Sequence, residues 1–348
     1  MEKAEDRLSN LARVARRRRL DLVLVRNQAN ILALTGVNCD NAVLAVAPTG
    51  GDGAAKTVFY TDFRYVPMVH RVAPRLACRD IKRLKIEGSR IGYESSIPHS
   101  KYLEFAKKAR RAKFVDLAKD ISIMRAVKTP DEIARIREAE ALACRIWEDA
   151  SAGFRAGMTE RDMARVIQKM MIERGEGEAF PTIVCVGKNA AECHHEPDDT
   201  VWNGREPVLV DMGVRLGGVC SDLTRNVVVN PSKLYKKVYA LVLEANLAAI
   251  AAARPGMTGK ALDKVARDVI RKGGFGKCFG HSLGHGVGYE VHEAPMAAKS
   301  KSANTVLKPG MLVTIEPGIY LEGNLGVRIE DLILITETGC EVLSHTAK

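Results

Sequence analysis

Five of the chain's eight histidines fall in two short windows. His194 and His195 stand in CHHEPDD; His281, His285 and His292 stand in HSLGHGVGYEVHEAP. Two further stretches, VLVDMGVRLGGVCSDLTRNVVV and TIEPGIYLEGNLGVRIEDLIL, set carboxylates at matched distances on either side of a turn. Imidazole and carboxylate together suit general acid–base work or the binding of a divalent cation. With the first turn centred on Leu216-Gly217, Asp211 and Asp222 are equidistant from it and predicted to face each other. Their Cβ atoms would then lie about 4.5–5.5 Å apart. With the second turn centred on Gly323, Glu316 and Glu330 repeat the arrangement. Apolar neighbours (Val210, Leu223, Ile315, Ile329) place each carboxylate on an inward face. A buried, unpaired charge is prohibitively costly, and opposed like charges add to that cost. Any one of these carboxylates, taken alone, reads best as a solvated side chain. Four placed symmetrically read best as ligands of a metal. Oxygen-rich ligands with one imidazole suit Mn²⁺, Co²⁺, Fe²⁺ or Zn²⁺. Two such ions about 3.5–4 Å apart make a hydrolytic site.

His281 and His285 are four residues apart, the spacing of a zinc-binding helix. Gly284, Gly286 and Gly288 argue against a helix there. The segment reads instead as a loop feeding a strand from Gly286 to Glu293, with one histidine as ligand and the others lining a pocket.

These side chains need elements to aim them, and the sequence supplies a repeat. Residues 155–180, RAGMTERDMARVIQKMMIERGEGEAF, resemble residues 254–279, RPGMTGKALDKVARDVIRKGGFGKCF, at a constant offset of 99. Each begins Gly-Met-Thr, continues as an amphipathic helix and leaves through glycines to Phe. Asp211 then answers to Glu316, and Asp222 to Glu330. Two such halves predict a pseudo-two-fold α+β domain whose site collects carboxylates from both. Ahead of them, DLVLV, AVLAVAP, KTVFYTD and RIGYES read as strands and SKYLEFAKKARRA as a helix, which together form a small α/β domain. Thr129-Pro130-Asp131-Glu132 is a strong helix start, with an N-cap, a proline at the first helical position and a capping box. The expected domains are residues 1–125 and 126–348.

The 348 residues fit two domains at about 100–200 residues each. No apolar run reaches the roughly 18 residues of a membrane span, and the charged start MEKAEDRLSN lacks a secretory signal. Eight cysteines, none in a CxxC pair, read as reduced thiols of a cytoplasmic protein. The formal charge of +11 and the run Arg16 to Arg19 raise the question of nucleic acid. Leu8, Leu11 and Ala15 at helical spacing make that run the solvated face of a helix, and aromatics are only 5%. A basic surface instead attracts acidic peptides at long range.

VLVDMGVRLGGVCSDLTRNV, HSLGHGVGYEVHE, TIEPGIY and GVRIEDLILIT together resemble the pita-bread metallopeptidases, in particular their proline-specific branch of X-Pro aminopeptidases and X-Pro dipeptidases (prolidases). RLDLVLVRNQANILALTGV and YTDFRYV look like the small domain that precedes the catalytic domain in that branch. The resemblance implies two divalent ions, Mn²⁺ foremost, with Co²⁺, Zn²⁺ or Fe²⁺ as substitutes. It implies that Asp211 binds one ion, that His285 and Glu316 hold the other, and that Asp222 and Glu330 bridge. It gives Glu316 the further role of proton shuttle and His194 that of oxyanion stabiliser. His292 would hydrogen-bond near the scissile bond, His281 would line the proline pocket, and Arg328 would brace the metal carboxylates. His195 takes a secondary place. Cys193 departs from the family, which usually has proline before the catalytic histidine. The implied substrates are peptides with proline second, and the implied assembly is a homodimer.

Methionine aminopeptidase shares the ligand pattern but usually lacks such a preceding domain, and creatinase-like hydrolysis needs another pocket shape. A non-catalytic pita-bread binding module typically loses ligands that are all present here. Between the two proline-specific activities, YTDFRYV resembles the N-terminal domain of short bacterial X-Pro aminopeptidases, and little after the second hairpin lids the far side of the pocket. The expectation is therefore an X-Pro aminopeptidase, with X-Pro dipeptidase as the alternative.

Overall fold

The computed structural model of the chain describes residues 2–48, 55–300 and 303–348. It divides into two units, Met1–Arg125 and Ala126–Lys348.

The first unit is a six-stranded mixed sheet with helices. In chain order it runs α1 (Glu2–Arg17), β1 (Leu22–Val25), α2 (Gln28–Thr35), β2 (Ala42–Pro48), β3 (Ala55–Thr61), α3 (Val66–Val72), β4 (Ala77–Asp80), β5 (Arg90–Tyr93), α4 (His99–Lys108), β6 (Lys113–Asp116) and α5 (Ala118–Ala126). The strand order is β4-β3-β2-β1-β5-β6. Alternate residues of the central strands feed two separate apolar clusters. Val23, Leu44 and Phe59 join one with Leu11 and Ile121; Leu24, Val43 and Val58 join the other with Phe105. Each face of the sheet is therefore covered, which is why β1 and β2 are almost uninterrupted apolar runs. Arg16 is exposed at the end of α1, while Leu11 and Ala15 are buried. The short edge strands β4 and β6 carry no apolar alternation and gave no signal in the sequence.

The second unit opens with α6 (Pro130–Ala152), whose capping box joins Thr129 and Glu132 as the sequence predicts. Then come α7 (Glu160–Arg174), β7 (Ile183–Val186), β8 (Val208–Met212), β9 (Arg215–Leu216), β10 (Val219–Cys220) and β11 (Leu223–Val227). The second half follows with α8 (Lys233–Ala252), α9 (Gly259–Lys272), β12 (Gly284–Gly286), β13 (Glu293–Ala297), β14 (Leu312–Ile315), β15 (Gly318–Leu321), β16 (Leu325–Arg328), β17 (Asp331–Ile335) and β18 (Cys340–Val342). Each half has its own apolar core: Ile146, Ile167, Val184 and Val210 in one, Val242, Ile270, Ile315 and Ile333 in the other.

The repeat is visible bond by bond. Thr159 caps α7 and bridges Val201, while Gly157 N–H donates to Trp202 O. Thr258 caps α9 and bridges Val306, while Gly256 N–H donates to Leu307 O. The fold class is thus a pita-bread α+β domain with an internal pseudo-two-fold repeat, joined in the chain to a small α/β domain. Among the described residues, no helix is long and apolar enough to cross a membrane.

Candidate metal centre and its histidines

The two hairpins differ in register. In the second, Ile315 pairs with Asp331 and Gly318 with Arg328, so Glu316 and Glu330 are opposed across the break between its two strand pairs, as predicted. In the first, Leu216 pairs with Val219 and Asp211 with Thr224. Asp211 therefore does not face Asp222 but lies diagonal to it. The cause is the turn. A two-residue hairpin loop of the favoured hand needs positive φ at both central residues. Gly217 and Gly218 have φ of 59° and 73°, so the turn centres between them rather than on Leu216-Gly217. Thr224 gains a role from this shift. Its hydroxyl donates to Glu330 Oε2 at 2.9 Å and accepts from Arg328 Nε at 3.1 Å.

The expected strand from Gly286 to Glu293 is absent. The chain instead forms the hairpin β12–β13, with residues 287–292 as its loop. Glycines at 286 and 288 permit this close fold-back: a Cβ at Gly286 would meet Ala294 O at 2.2 Å, and one at Gly288 would meet the Glu293 carboxylate. The loop returns His292 over His285, with ring centroids 4.1 Å apart and edge to face. His285 is buried, and its backbone N–H donates to Thr314 Oγ1. Its Nδ1 lies 3.2 Å from Gly286 O, which assigns the Nδ1–H to that carbonyl and turns Nε2 toward the carboxylates. That nitrogen is 3.3 Å from Glu316 Oε1 and 3.7 Å from Asp222 Oδ2.

Four carboxylates from the two hairpins therefore gather around one imidazole. Ligand atoms of Asp222, His285 and Glu330 all lie within 4.8 Å of one another. Burial and the mutual repulsion of Glu330, Asp211 and Glu316 push the pKa of Asp222 well above the carboxylate range, and Glu330 is pushed up likewise. Burial also works on Glu316, but the hydrogen bond and charge of His285 outweigh it and its pKa is lowered. One arginine stands against this charge. Arg328 is buried; its Nη2 donates to Asp211 Oδ2 at 2.7 Å and its Nη1 to the Tyr320 hydroxyl at 2.9 Å. The other oxygen of Asp211, Oδ1, is buried without a hydrogen-bond partner. An orphaned carboxylate oxygen gathered with an imidazole nitrogen and three more carboxylates is a donor set that fits divalent cations.

His281 reaches the site at one remove. The Tyr320 hydroxyl accepts from Arg328, so its own proton points to His281 Nε2 at 2.9 Å, and His281 Nδ1 donates to Ser282 O. Burial, its leading cause, lowers the pKa of His281, in keeping with a neutral ring. Both ring nitrogens are engaged, and the ring meets that of Phe279 nearly at right angles, with centroids 5.1 Å apart. His292 is exposed, and burial together with His285 lowers its pKa. His194 is exposed at the tip of the loop between β7 and β8 and makes no hydrogen bond among the described residues. Its neighbour Cys193 accepts at its carbonyl from Arg328 Nη1, at 3.4 Å. His195 turns away from the carboxylates and pairs with Glu160, Nε2 to Oε2 at 2.7 Å.

Two residues around the site went unread in the sequence. Tyr320 follows the apolar Ile319 in TIEPGIY, where no local pattern marks its hydroxyl as a partner of Arg328 and His281. Glu140 lies in the middle of α6, fully buried, accepting from Asp222 N–H and from Ser344 Oγ. Burial pushes its pKa up to about 7. A lone glutamate in a helical pattern announces nothing of this kind.

Residues 134–337 match metallopeptidase family M24, and residues 7–127 match the creatinase/prolidase N-terminal domain. An Xaa-Pro dipeptidase of Pyrococcus furiosus is 33% identical over 99% of both chains. The crystal structure of a prolidase from Pyrococcus horikoshii OT3 superposes with a TM-score of 0.92 at 32% identity, covering 99% of each chain. That of an X-Pro aminopeptidase from Thermotoga maritima MSB8 gives 0.82 at 31% identity, covering 94% of this chain and 96% of the other.

Proposed function

We propose that this chain, which belongs to metallopeptidase family M24, hydrolyses the bond between an N-terminal residue and a following proline, with X-Pro dipeptides as its preferred substrates. The observation that carries the chemistry is the gathering of Asp222, Glu316 and Glu330 about His285, with Asp211 acting on the same charge cluster and its Oδ1 left open. The dipeptide preference replaces the aminopeptidase expectation. Its support is whole-length similarity to relatives named as dipeptidases, set against the lower similarity to the Thermotoga aminopeptidase. Against it stands YTDFRYV, whose Tyr60 and Thr61 end β3 in the sheet of the first unit.

Asp211, Asp222, His285, Glu316 and Glu330 would hold two divalent ions, Mn²⁺ foremost and Co²⁺, Zn²⁺ or Fe²⁺ as substitutes. When bound, such ions supply Lewis acidity and bring the pKa of water toward neutrality. The chain's own groups do the rest. Glu316 accepts and returns a proton. His194, without a hydrogen bond among the described residues, donates to the oxygen that gains charge. His292 hydrogen-bonds near the scissile bond, and His281 lines the proline pocket. Arg328 fixes Asp211 and Tyr320 in place. A homodimeric assembly belongs to the same proposal. The test is kcat/KM for Ala-Pro against Ala-Pro-Ala under one metal condition. Preference for the dipeptide by about tenfold, or about 1.4 kcal/mol, is expected; the reverse ratio returns the chain to the aminopeptidases.

A further inference from the structure

Outside the metal centre, one other cluster among the described residues sets metal-ligating side chains together: Glu160, His195 and Asp198, with ligand atoms within 4.8 Å of one another. Its spacing alone would suit a cation. Its hydrogen bonds exclude one. Glu160 Oε1 accepts from Val186 N–H at 2.6 Å and from Asn189 Nδ2 at 2.9 Å. Oε2 accepts from His195 Nε2 at 2.7 Å and from Asp198 N–H at 3.1 Å. Both oxygens are filled, and no lone pair is left for a metal.

The four donors come from the end of β7, from the turn after it, from the residue next to His194, and from the point where the chain turns back. One fully buried carboxylate thus gathers the whole loop that carries His194. The opposite side of that loop is pressed on β16, where a Cβ at Gly326 would meet Ala190 O at 1.7 Å. The internal repeat shows what Glu160 replaces. Its counterpart, at the offset of 99, is Gly259, and a Cβ there would meet Met296 O at 1.9 Å. In the second half, backbone of β13 fills this space; in the first half, the Glu160 side chain does.

We infer that His195 and Glu160 are positioning residues: their buried ion pair sets the register of the loop, and so aims the exposed His194 at the substrate. His195 Nδ1 also lies 3.4 Å from Glu192 Oε2, so both ring nitrogens face carboxylates. Burial opposes the imidazolium, but Glu160, with Glu192 and Asp198 beside it, outweighs burial and raises the pKa of His195. A hydrogen bond to a charged group in a buried setting is the stronger kind, and its loss frees the loop at one end only. Because His194 makes no hydrogen bond among the described residues, its aim depends on its neighbours.

This inference rests on the reading of His194 as the oxyanion donor, and a double-mutant cycle keeps the two apart. The Mn²⁺-loaded enzyme is assayed on Ala-Pro with His194→Ala, His195→Phe, His195→Gln and the double variant His194→Ala/His195→Phe. Expected for His195→Phe is a fall in kcat of about tenfold to a hundredfold, the scale of a roughly 1 Å misplacement, with KM and metal content unchanged. Gln offers an N–H near the position of Nε2, and His195→Gln is expected to recover most of the rate. On the His194→Ala background, His195→Phe is expected to cost nothing further. A second readout needs no turnover: in histidine ¹⁵N NMR, the raised His195 titration is expected to return to the ordinary range in Glu160→Gln. Wild-type kcat for His195→Phe with an impaired His194→Ala overturns the positioning role alone. Equal losses on both backgrounds also overturn it, since His195 then acts without His194. Wild-type rates for His194→Ala overturn the underlying reading instead.

Discussion

Replacing Asp222 by asparagine tests whether the carboxylates are held for a metal and not for the fold. Asp222 is buried, and its ligand atom lies within 4.8 Å of one on Glu330. At that separation two full charges repel by about 3.5 kcal/mol at an effective dielectric constant of about 20. Asparagine keeps the shape and removes the charge. In the presence of a chelator, Asp222→Asn is therefore expected to be more stable than the wild type, by about 1–3 kcal/mol, because protonation already relieves part of the repulsion. The pH dependence fixes the sign. The folded pKa of Asp222 lies above its unfolded value, so the folded state binds its proton more tightly. The wild type then loses stability as pH rises above the ordinary aspartate range, and the advantage of the variant grows with pH. With metal the order inverts. Saturation at 100 times Kd stabilises the wild type by about 2.7 kcal/mol per site, and the variant forgoes this along with activity. Urea unfolding at several pH values, with chelator and then with Mn²⁺, reads both effects. A variant less stable in chelator at every pH, or one that answers Mn²⁺ with wild-type affinity, refutes the reasoning.

Three further outcomes are expected. Chelation abolishes hydrolysis, and Mn²⁺ or Co²⁺ restores it, because carboxylate-rich sites hold such ions less tightly than thiolate sites hold zinc; full activity in protein shown metal-free by elemental analysis contradicts this. His194→Ala keeps both metals but loses about 10²–10³-fold in kcat, the scale of one oxyanion donor, as steady-state kinetics beside metal analysis will show. His195, with its folded pKa raised, contributes stability that is complete below the unfolded value near 6.5 and is lost as pH rises through the folded one. The melting-temperature gap between wild type and His195→Gln is accordingly expected to narrow as pH rises from about 6 to about 9; a gap that widens contradicts the ion pair.

The legible parts of this chain were those where a period or a cap forces the answer. The 99-residue offset, the Thr129 capping box and the apolar runs of β1 and β2 all correspond to structure. So did the pairing of Glu316 with Glu330, because a single Gly323 fixes that turn. The first hairpin was misjudged by one residue because VRLGGVC offers two adjacent glycines, and only backbone φ decides which pair forms the turn. The strand predicted after Gly286 failed because glycines that permit an extended chain also permit a sharp return. Glu160, Glu140 and Tyr320 were invisible for a common reason. Each acts through a contact far along the chain, Glu140 with Ser344 and Tyr320 with His281, and no local pattern encodes such a partner.

The symmetry of the second unit separates its tasks. The parts that repeat, a capped helix and a carboxylate hairpin in each half, supply the ligands that two like ions would share. The parts that do not repeat supply the histidines. Where the first half has an exposed loop tied down by Glu160, the second has the hairpin β12–β13, and Gly259 clears the space for it. His194 comes from the loop, and His285 and His292 come from that hairpin and its turn. A pair of identical cations tolerates a two-fold arrangement of ligands. A peptide has direction, with an amine at one end and a proline at the other, and a symmetric set of donors would bind it in either sense. The repeat is broken at one helix start, glutamate in one half and glycine in the other, and the histidines come from the unlike segments packed there.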